Sequence, residues 1–231
     1  MEPWYHVAKN LLEPPVRLWF SWRFEGLDRV PATGPLIVAG NHLSYVDPIA
    51  HAYFVVKARR RPRFLAKREL FDRRLLGPAL RVLRQISVDR GTGDTSTLEL
   101  AGRALRAGEV VVIYPEGTTT TTDADFSPGR GKTGAIRLAL ATGVPILPVA
   151  TWGGQFVWRK EGRQSFAFGR PIWLRAGEPY DAAGRAAGDA GVAIVRRLTD
   201  ELMAELGTLV AGLRAGYPAS WPKARRAEPA G

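Results

Sequence analysis

The segment Asn41-His42-Leu43-Ser44-Tyr45-Val46-Asp47-Pro48 holds the residue types that general-base chemistry needs. A histidine and an aspartate five positions apart across a strand-to-helix turn can meet. The carboxylate then accepts the Nδ1 proton, and Nε2 is left to take a proton from a hydroxyl. The same residues also suit a structural part, a satisfied histidine near a helix start with Asp47 as the N-cap. The segment alone leaves both readings open. A Ser-His-Asp hydrolase does not fit, because no G-x-S-x-G elbow surrounds Ser44 and three triad members would crowd into six residues.

Two further segments carry chemistry. Tyr114-Pro115-Glu116-Gly117-Thr118 follows the apolar run Val110–Ile113, and its glycine allows a close backbone approach. Pro128-Gly129-Arg130-Gly131-Lys132-Thr133-Gly134 ends like a phosphate loop, but Phe126 stands where that loop needs its first glycine, so the P-loop reading fails. A glycine-rich, basic helix entry can still hold an anion through exposed amides.

The elements that must position these residues alternate. Apolar runs at Leu36–Ala39, Phe64–Ala66, Ile86–Val88, Val110–Ile113 and Pro145–Thr151 read as strands. Helical patterns at Leu75–Leu83, Asp94–Arg106, Lys132–Ala141 and Val192–Leu213 separate or follow them. Continuous apolar strands between helices predict an α/β fold, a mostly parallel central sheet flanked by helices. Phe166–Phe168 and Pro171–Leu174 read as a strand or hairpin pair.

Residues 1–24 read as an N-terminal amphipathic helical segment, 25–213 as one catalytic domain and 214–231 as a disordered tail. Within the first segment Pro14-Pro15 predicts a division into two short helices. Its aromatics with interspersed Lys9, Arg17 and Arg23 suit a helix lying in the headgroup layer of a membrane, or one packed on its own domain. No run is long and apolar enough to predict a spanning helix, and Met1-Glu2-Pro3-Trp4 does not begin like a secretory signal.

The 231 residues carry a net charge of +11, from 33 Lys+Arg against 22 Asp+Glu. Twelve basic residues fall between Lys57 and Arg90 against three acids, which predicts one strongly positive face. Nucleic acid, anionic lipid and phosphorylated small molecules are the partners such charge allows; no nucleic-acid motif is present. The absence of cysteine excludes disulfides, a thiolate nucleophile and Cys-ligated metals, and fits a reducing compartment. With three histidines, a His-rich metal site is not expected either.

Taken together, the segments resemble the glycerolipid acyltransferase family typified by 1-acyl-sn-glycerol-3-phosphate acyltransferase. The family's first block, N-H-x-x-x-x-D, is met by Asn41, His42 and Asp47. The second, G-x-x-F-I-x-R, is met in part: Arg84 replaces the glycine and Ser87 the phenylalanine, whereas Val88 and Arg90 fit. The third, F-P-E-G-T-R-S, appears as Tyr114-Pro115-Glu116-Gly117-Thr118-Thr119-Thr120, and the fourth as Ile146-Leu147-Pro148-Val149. Phe64 to Leu70 is similar to the basic segment between the first two blocks. The blocks run in the family's order from residue 41 to 149, about half the chain.

The resemblance implies acyl transfer from an acyl thioester, on coenzyme A or acyl carrier protein, to the hydroxyl of a lysophospholipid, with no cofactor and no metal. It implies His42 as general base, Asp47 as the group that orients it, and Asn41, Lys67, Arg90, Glu116, Gly117 and Thr118 around the acceptor. Thr119 departs from the family's arginine, so Arg130 and Lys132, just past the same loop, are the candidates to supply that charge. Other readings are the same chemistry on another lysolipid or a glycolipid, and a non-catalytic module binding anionic membrane. The location implied is the cytoplasmic face of a membrane, peripheral or monotopic.

Overall fold

The computed structural model of the protein describes residues 3–88, 96–120, 126–161, 164–188 and 191–219. Helix α1 (Pro3–Trp19) leads into β1 (Phe20–Glu25), then β2 (Leu36–Gly40), α2 (Asp47–Lys57), β3 (Pro62–Lys67), α3 (Arg68–Phe71), α4 (Leu76–Val82) and β4 (Ile86–Val88). The chain continues through α5 (Ser96–Arg106), β5 (Val110–Ile113), α6 (Gly134–Thr142), β6 (Ile146–Trp152), β7 (Arg170–Ala176), α7 (Ala182–Ala186) and α8 (Val192–Gly216).

The seven strands form one sheet in the order β1-β7-β6-β2-β5-β3-β4. Every pairing is parallel except β6 with β7. β2 and β5 are buried at every position, as central parallel strands covered on both faces must be. Alternation along β2 divides the core. Leu36 and Val38 join Phe54 and Val55 of α2 on one face; Ile37 and Ala39 join Leu105 of α5, Ile136 of α6 and Leu202 of α8 on the other. Parallel strands bring their C-terminal ends to one edge of the sheet, where open α/β proteins place their ligands.

The first 25 residues differ from the sequence expectation. One helix, not two, runs from Pro3 to Trp19 with Pro14 and Pro15 inside it. The prolines deprive the carbonyls of Asn10 and Leu11 of helical donors, and both residues lie at the exposed surface, where water can replace them. Phe20–Glu25 is a strand, not a helix. Phe20, Trp22 and Phe24 alternate with the exposed Ser21 and Arg23, a period-2 pattern that packs Trp22 against Tyr53 of α2 at 4.9 Å between ring centroids. Among the described residues no helix is long and apolar enough to cross a membrane.

Three smaller differences follow. Phe166–Phe168 is loop, and among the described residues of that region β7 alone forms. α8 runs on to Gly216, and Tyr217 donates its hydroxyl to Pro171 O at 2.8 Å, so the ordered chain passes residue 214; residues 220–231 lie outside the described ones. Within the basic stretch, Arg60 turns inward to the carbonyls of Pro31, Gly34 and Gly108, and Arg63 to Glu109 and the carbonyls of Leu83 and Arg84. Those two cations hold loops together and are lost to the positive face.

Candidate active site

β2 delivers the first block to the C-terminal edge of the sheet. Immediately after Gly40, the buried Asn41 donates through Nδ2 to Thr151 O at 3.1 Å and accepts from Thr151 N at 2.7 Å. Its amide copies a peptide group and extends the β2–β6 pairing by one step, so Asn41 fastens the loop and both ends of its amide are engaged within the protein. The next residue is clamped to the loop after β5. His42 N donates to Glu116 Oε1 at 3.2 Å, and His42 O accepts from Thr120 N at 2.7 Å.

Asp47 opens α2 and is 1% exposed at its side chain. Val46, not Asp47, occupies the N-cap position. The carboxylate instead folds back over its own loop: Oδ2 accepts from Leu43 N at 2.5 Å and Ser44 N at 2.6 Å, and Oδ1 accepts from Ser44 Oγ at 2.6 Å. His42 Nδ1 lies 3.4 Å from the same Oδ2. That separation is long for a charge-assisted hydrogen bond, and the same oxygen is shared with two main-chain amides. The helix N-terminus adds favourable partial positive charge to this buried anion.

Three further residues attend the pair: Tyr114, which opens the third family block, and His51 and Gly154, which lie outside the blocks. The Tyr114 ring stacks on the His42 imidazole with centroids 4.3 Å apart and planes 17° from parallel. His51, one turn into α2, sits buried with Nδ1 2.9 Å from Asp47 O and Nε2 2.9 Å from Val149 O, and the Tyr114 hydroxyl lies 3.3 Å from its Nδ1. Burial holds His51 below the usual histidine value against the pull of those two carbonyls, and burial together with the Asp47 charge pushes the Tyr114 hydroxyl well above the usual tyrosine range. Gly154, in the turn after β6, backs onto the loop: a Cβ there would come within 2.4 Å of Ser44 Oγ and 2.7 Å of Asp47 Oδ1. A spacing of four residues between Asp47 and His51 on a helix was legible as one face; the other contacts join distant strands.

The third block forms the facing wall. Gly117 N donates to Tyr114 O at 2.9 Å and Gly117 adopts φ +70°, a left-handed turn that glycine takes without strain. The Glu116 carboxylate accepts from His42 N, Thr120 Oγ1 and Gly129 N, so it ties the two loops together. Thr118 is exposed, whereas Thr119 is buried. Lys132 N donates to Pro115 O at 2.7 Å, and the Lys132 side chain folds over Gly117, where a Cβ would lie 2.8 Å from Nζ. Arg130 is exposed on the other side, within electrostatic reach of Asp200 on α8. Lys67 ends β3 at the same edge of the sheet, exposed. Arg90 lies outside the described residues. The structure thus gathers His42, Asp47, Glu116, Gly117, Thr118 and Lys132 around one edge, with Lys67 two strands away in the β2-β5-β3 order.

The sequence profile of the family described as Acyltransferase matches residues 21–152, which takes in the β2 loop and the β5 loop alike. The chain belongs to the acyltransferase family. Among its relatives are the 1-acyl-sn-glycerol-3-phosphate acyltransferases of Bacillus subtilis, 26% identical across 73% of this chain and 82% of that one, and of Pseudomonas aeruginosa, 29% identical across 61% of this chain and 52% of that one. Apart from the Bacillus protein, the chain spans about half the length of the curated relatives it matches or less. Among solved structures, the 1-acyl-sn-glycerophosphate acyltransferase of Thermotoga maritima superposes with a TM-score of 0.66 over 95% of this chain and 83% of that one, at 25% identity. The protein shares its α/β architecture with the Thermotoga enzyme.

Proposed function

We propose that this acyltransferase moves a fatty acyl group from an acyl thioester, on coenzyme A or acyl carrier protein, to the free hydroxyl of 1-acylglycerol-3-phosphate, yielding phosphatidate. The observation that carries the reading is the His42 imidazole, held between the Asp47 carboxylate and the Tyr114 ring at the C-terminal edge of the sheet, with 14% of its side chain still open.

In this reading Nδ1 keeps its proton toward Asp47 and Nε2 accepts the proton of the acceptor hydroxyl. The hydroxyl oxygen attacks the thioester carbonyl, and the tetrahedral intermediate expels the thiolate. The imidazolium, stabilised by Asp47, returns its proton to that thiolate. One C–O bond forms, one C–S bond breaks, and no covalent acyl-enzyme is required. Lys132 over Gly117 supplies a cation for the acceptor phosphate, supported by the exposed Thr118 hydroxyl, with Lys67, Arg90 and Arg130 as further cations. The enzyme works at the cytoplasmic face of a membrane, where its acceptor resides, with residues 1–24 contributing to the attachment.

Product analysis by mass spectrometry, with mixed acyl thioesters and a panel of lysolipids, tests the reading. Phosphatidate is expected from lysophosphatidate, and His42→Ala is expected to lose roughly 10²–10⁴ in turnover; near-normal turnover in that variant removes the base. A second acceptor class is favoured by one observation, the buried Thr119 in place of a family arginine. A Lys132→Ala, Arg130→Ala variant with an unchanged KM for lysophosphatidate would move the assignment to another lysolipid or a glycolipid.

A further inference from the structure

An exposed aromatic surface adjoins the catalytic loop and is not used by the mechanism. Tyr45, two residues before Asp47, donates its main-chain N–H to Trp158 O at 2.9 Å, and the two rings lie 5.3 Å apart. Trp158 meets Phe166 at 5.9 Å across a loop closed by Ser165 N donating to Val157 O at 2.8 Å. Trp19, at the end of α1, donates its indole N–H to Phe166 O at 3.0 Å and meets the Phe168 ring at 5.9 Å. Five aromatic residues thus link the active-site loop to α1, with the step from Phe166 to Trp19 made by the indole hydrogen bond. Each ring remains between 38% and 69% exposed, and Leu18 beside Trp19 is 68% exposed.

Solvent is a poor environment for such a row, because exposed apolar groups gathered into one patch mark an interaction surface. Trp and Tyr with a cationic fringe are the composition of groups that sit at the headgroup level of a bilayer. Arg17 precedes Leu18, and Arg159 and Lys160 follow Trp158. Position decides the partner. A protein seated on this row would crowd the loop that holds His42, whereas a bilayer would present an amphiphilic acceptor to it.

We infer that the row Tyr45-Trp158-Phe166-Trp19-Phe168 seats the enzyme on the interfacial layer of an anionic lipid bilayer, holding the His42 loop at headgroup depth. The inference rests on the lysolipid reading of the acceptor for its purpose, but its test needs no turnover.

The chain contains no cysteine, so single labelling sites can be added cleanly. Ala167→Cys places an environment-sensitive fluorophore between Phe166 and Phe168, at an exposed position; Thr33→Cys places one in the exposed segment before β2, at the opposite end of the sheet. On adding phosphatidylcholine vesicles containing phosphatidylglycerol to the full-length protein, emission at 167 should shift to the blue and be quenched by nitroxide-labelled acyl chains. Emission at 33 should not change. A Trp158→Ser, Phe168→Ser variant with an unchanged circular dichroism spectrum should lose about tenfold in vesicle partitioning, the scale of two partly buried aromatic side chains. Vesicle binding with no change at 167 would mean attachment through other residues and overturns the inference. A blue shift at 167 without vesicles, rising with protein concentration, would assign the row to a second copy instead. Equal partitioning to pure phosphatidylcholine would overturn the anionic part.

Discussion

The imidazole of His42 lies flat against the phenol ring of Tyr114, 4.3 Å between centroids. The family block usually has phenylalanine there, so the ring, not the hydroxyl, is the shared element. A flat aromatic neighbour limits rotation of the imidazole about its last torsion and keeps Nδ1 on the Asp47 side. Tyr114→Phe is therefore expected to keep kcat within about twofold of the parent. Tyr114→Leu is expected to lower kcat by about fivefold with KM little changed, the scale of an aromatic pair worth about 1 kcal/mol. Steady-state kinetics of the two variants checks this; a leucine variant with parental kcat would show that the stacking does not position the base.

Asp47 and His42 should separate in stability while agreeing in activity. Asp47 accepts three hydrogen bonds from its own loop before His42 is counted, and each donor left buried without a partner costs about 1–3 kcal/mol. Asp47→Ala is expected to lower the melting temperature by several degrees, whereas His42→Ala, which removes a half-buried ring, should stay close to the parent. Both should lose turnover. Calorimetry on the two variants decides the matter: equal melting temperatures would confine Asp47 to orienting His42.

Much of this site was legible in the chain because it is local. His42 and Asp47 meet within one loop, and Glu116, Gly117 and Thr118 sit in one turn, so residue type and spacing were sufficient. The three central strands β2, β5 and β6 announced themselves by continuous apolar runs of the kind only a doubly covered sheet tolerates. Other features depend on which strands become neighbours. The pairing of Asn41 with Thr151, 110 positions on, requires β6 beside β2, and Glu116 ties two loops only because β5 lies on the other side of β2. β1 is obscured in the sequence for a different reason: Pro14-Pro15 and aromatics interspersed with cations suit interfacial helices, while the alternation of Phe20, Trp22 and Phe24 is a strand signal only six residues long.

The buried His51 makes stability depend on pH with a definite sign. Desolvation holds its folded-state value below the ordinary value of about 6.5. The groups facing it are the carbonyls of Asp47 and Val149, the Asp47 carboxylate, the Tyr114 hydroxyl and the His42 ring. The unfolded chain therefore takes up a proton near pH 6.5 that the folded chain still refuses. Its contribution is fully present above about pH 6.5 and is lost as pH falls from there toward the folded value, by at most about 1.4 kcal/mol per pH unit. Urea unfolding at several pH values between 7.5 and 5.5 should show a shallower decline for His51→Gln than for the parent. Parallel declines would remove His51 as the source.

Gly154 is the residue through which the turn after β6 bears on the loop that holds Ser44 and Asp47. Its backbone φ is not left-handed, so alanine meets no conformational penalty there, and the effect of Gly154→Ala is purely one of space. The added methyl carbon would stand 2.4 Å from Ser44 Oγ and 2.7 Å from Asp47 Oδ1, closer than such atoms can approach. Neither neighbour is free to swing aside, because Ser44 Oγ donates to Asp47 Oδ1 and accepts from Val46 N, and Asp47 Oδ2 is held by two main-chain amides. The loop must then shift as a unit, carrying the carboxylate relative to His42. A displacement of under an ångström at a catalytic pair can cost on the order of 10²-fold in rate, so kcat should fall by about that factor while lysolipid KM changes little. Kinetics alongside a melting curve separates this from unfolding. Gly154→Ala with parental kcat would mean that the loop tolerates displacement and that the spacing of His42 and Asp47 is not what limits turnover.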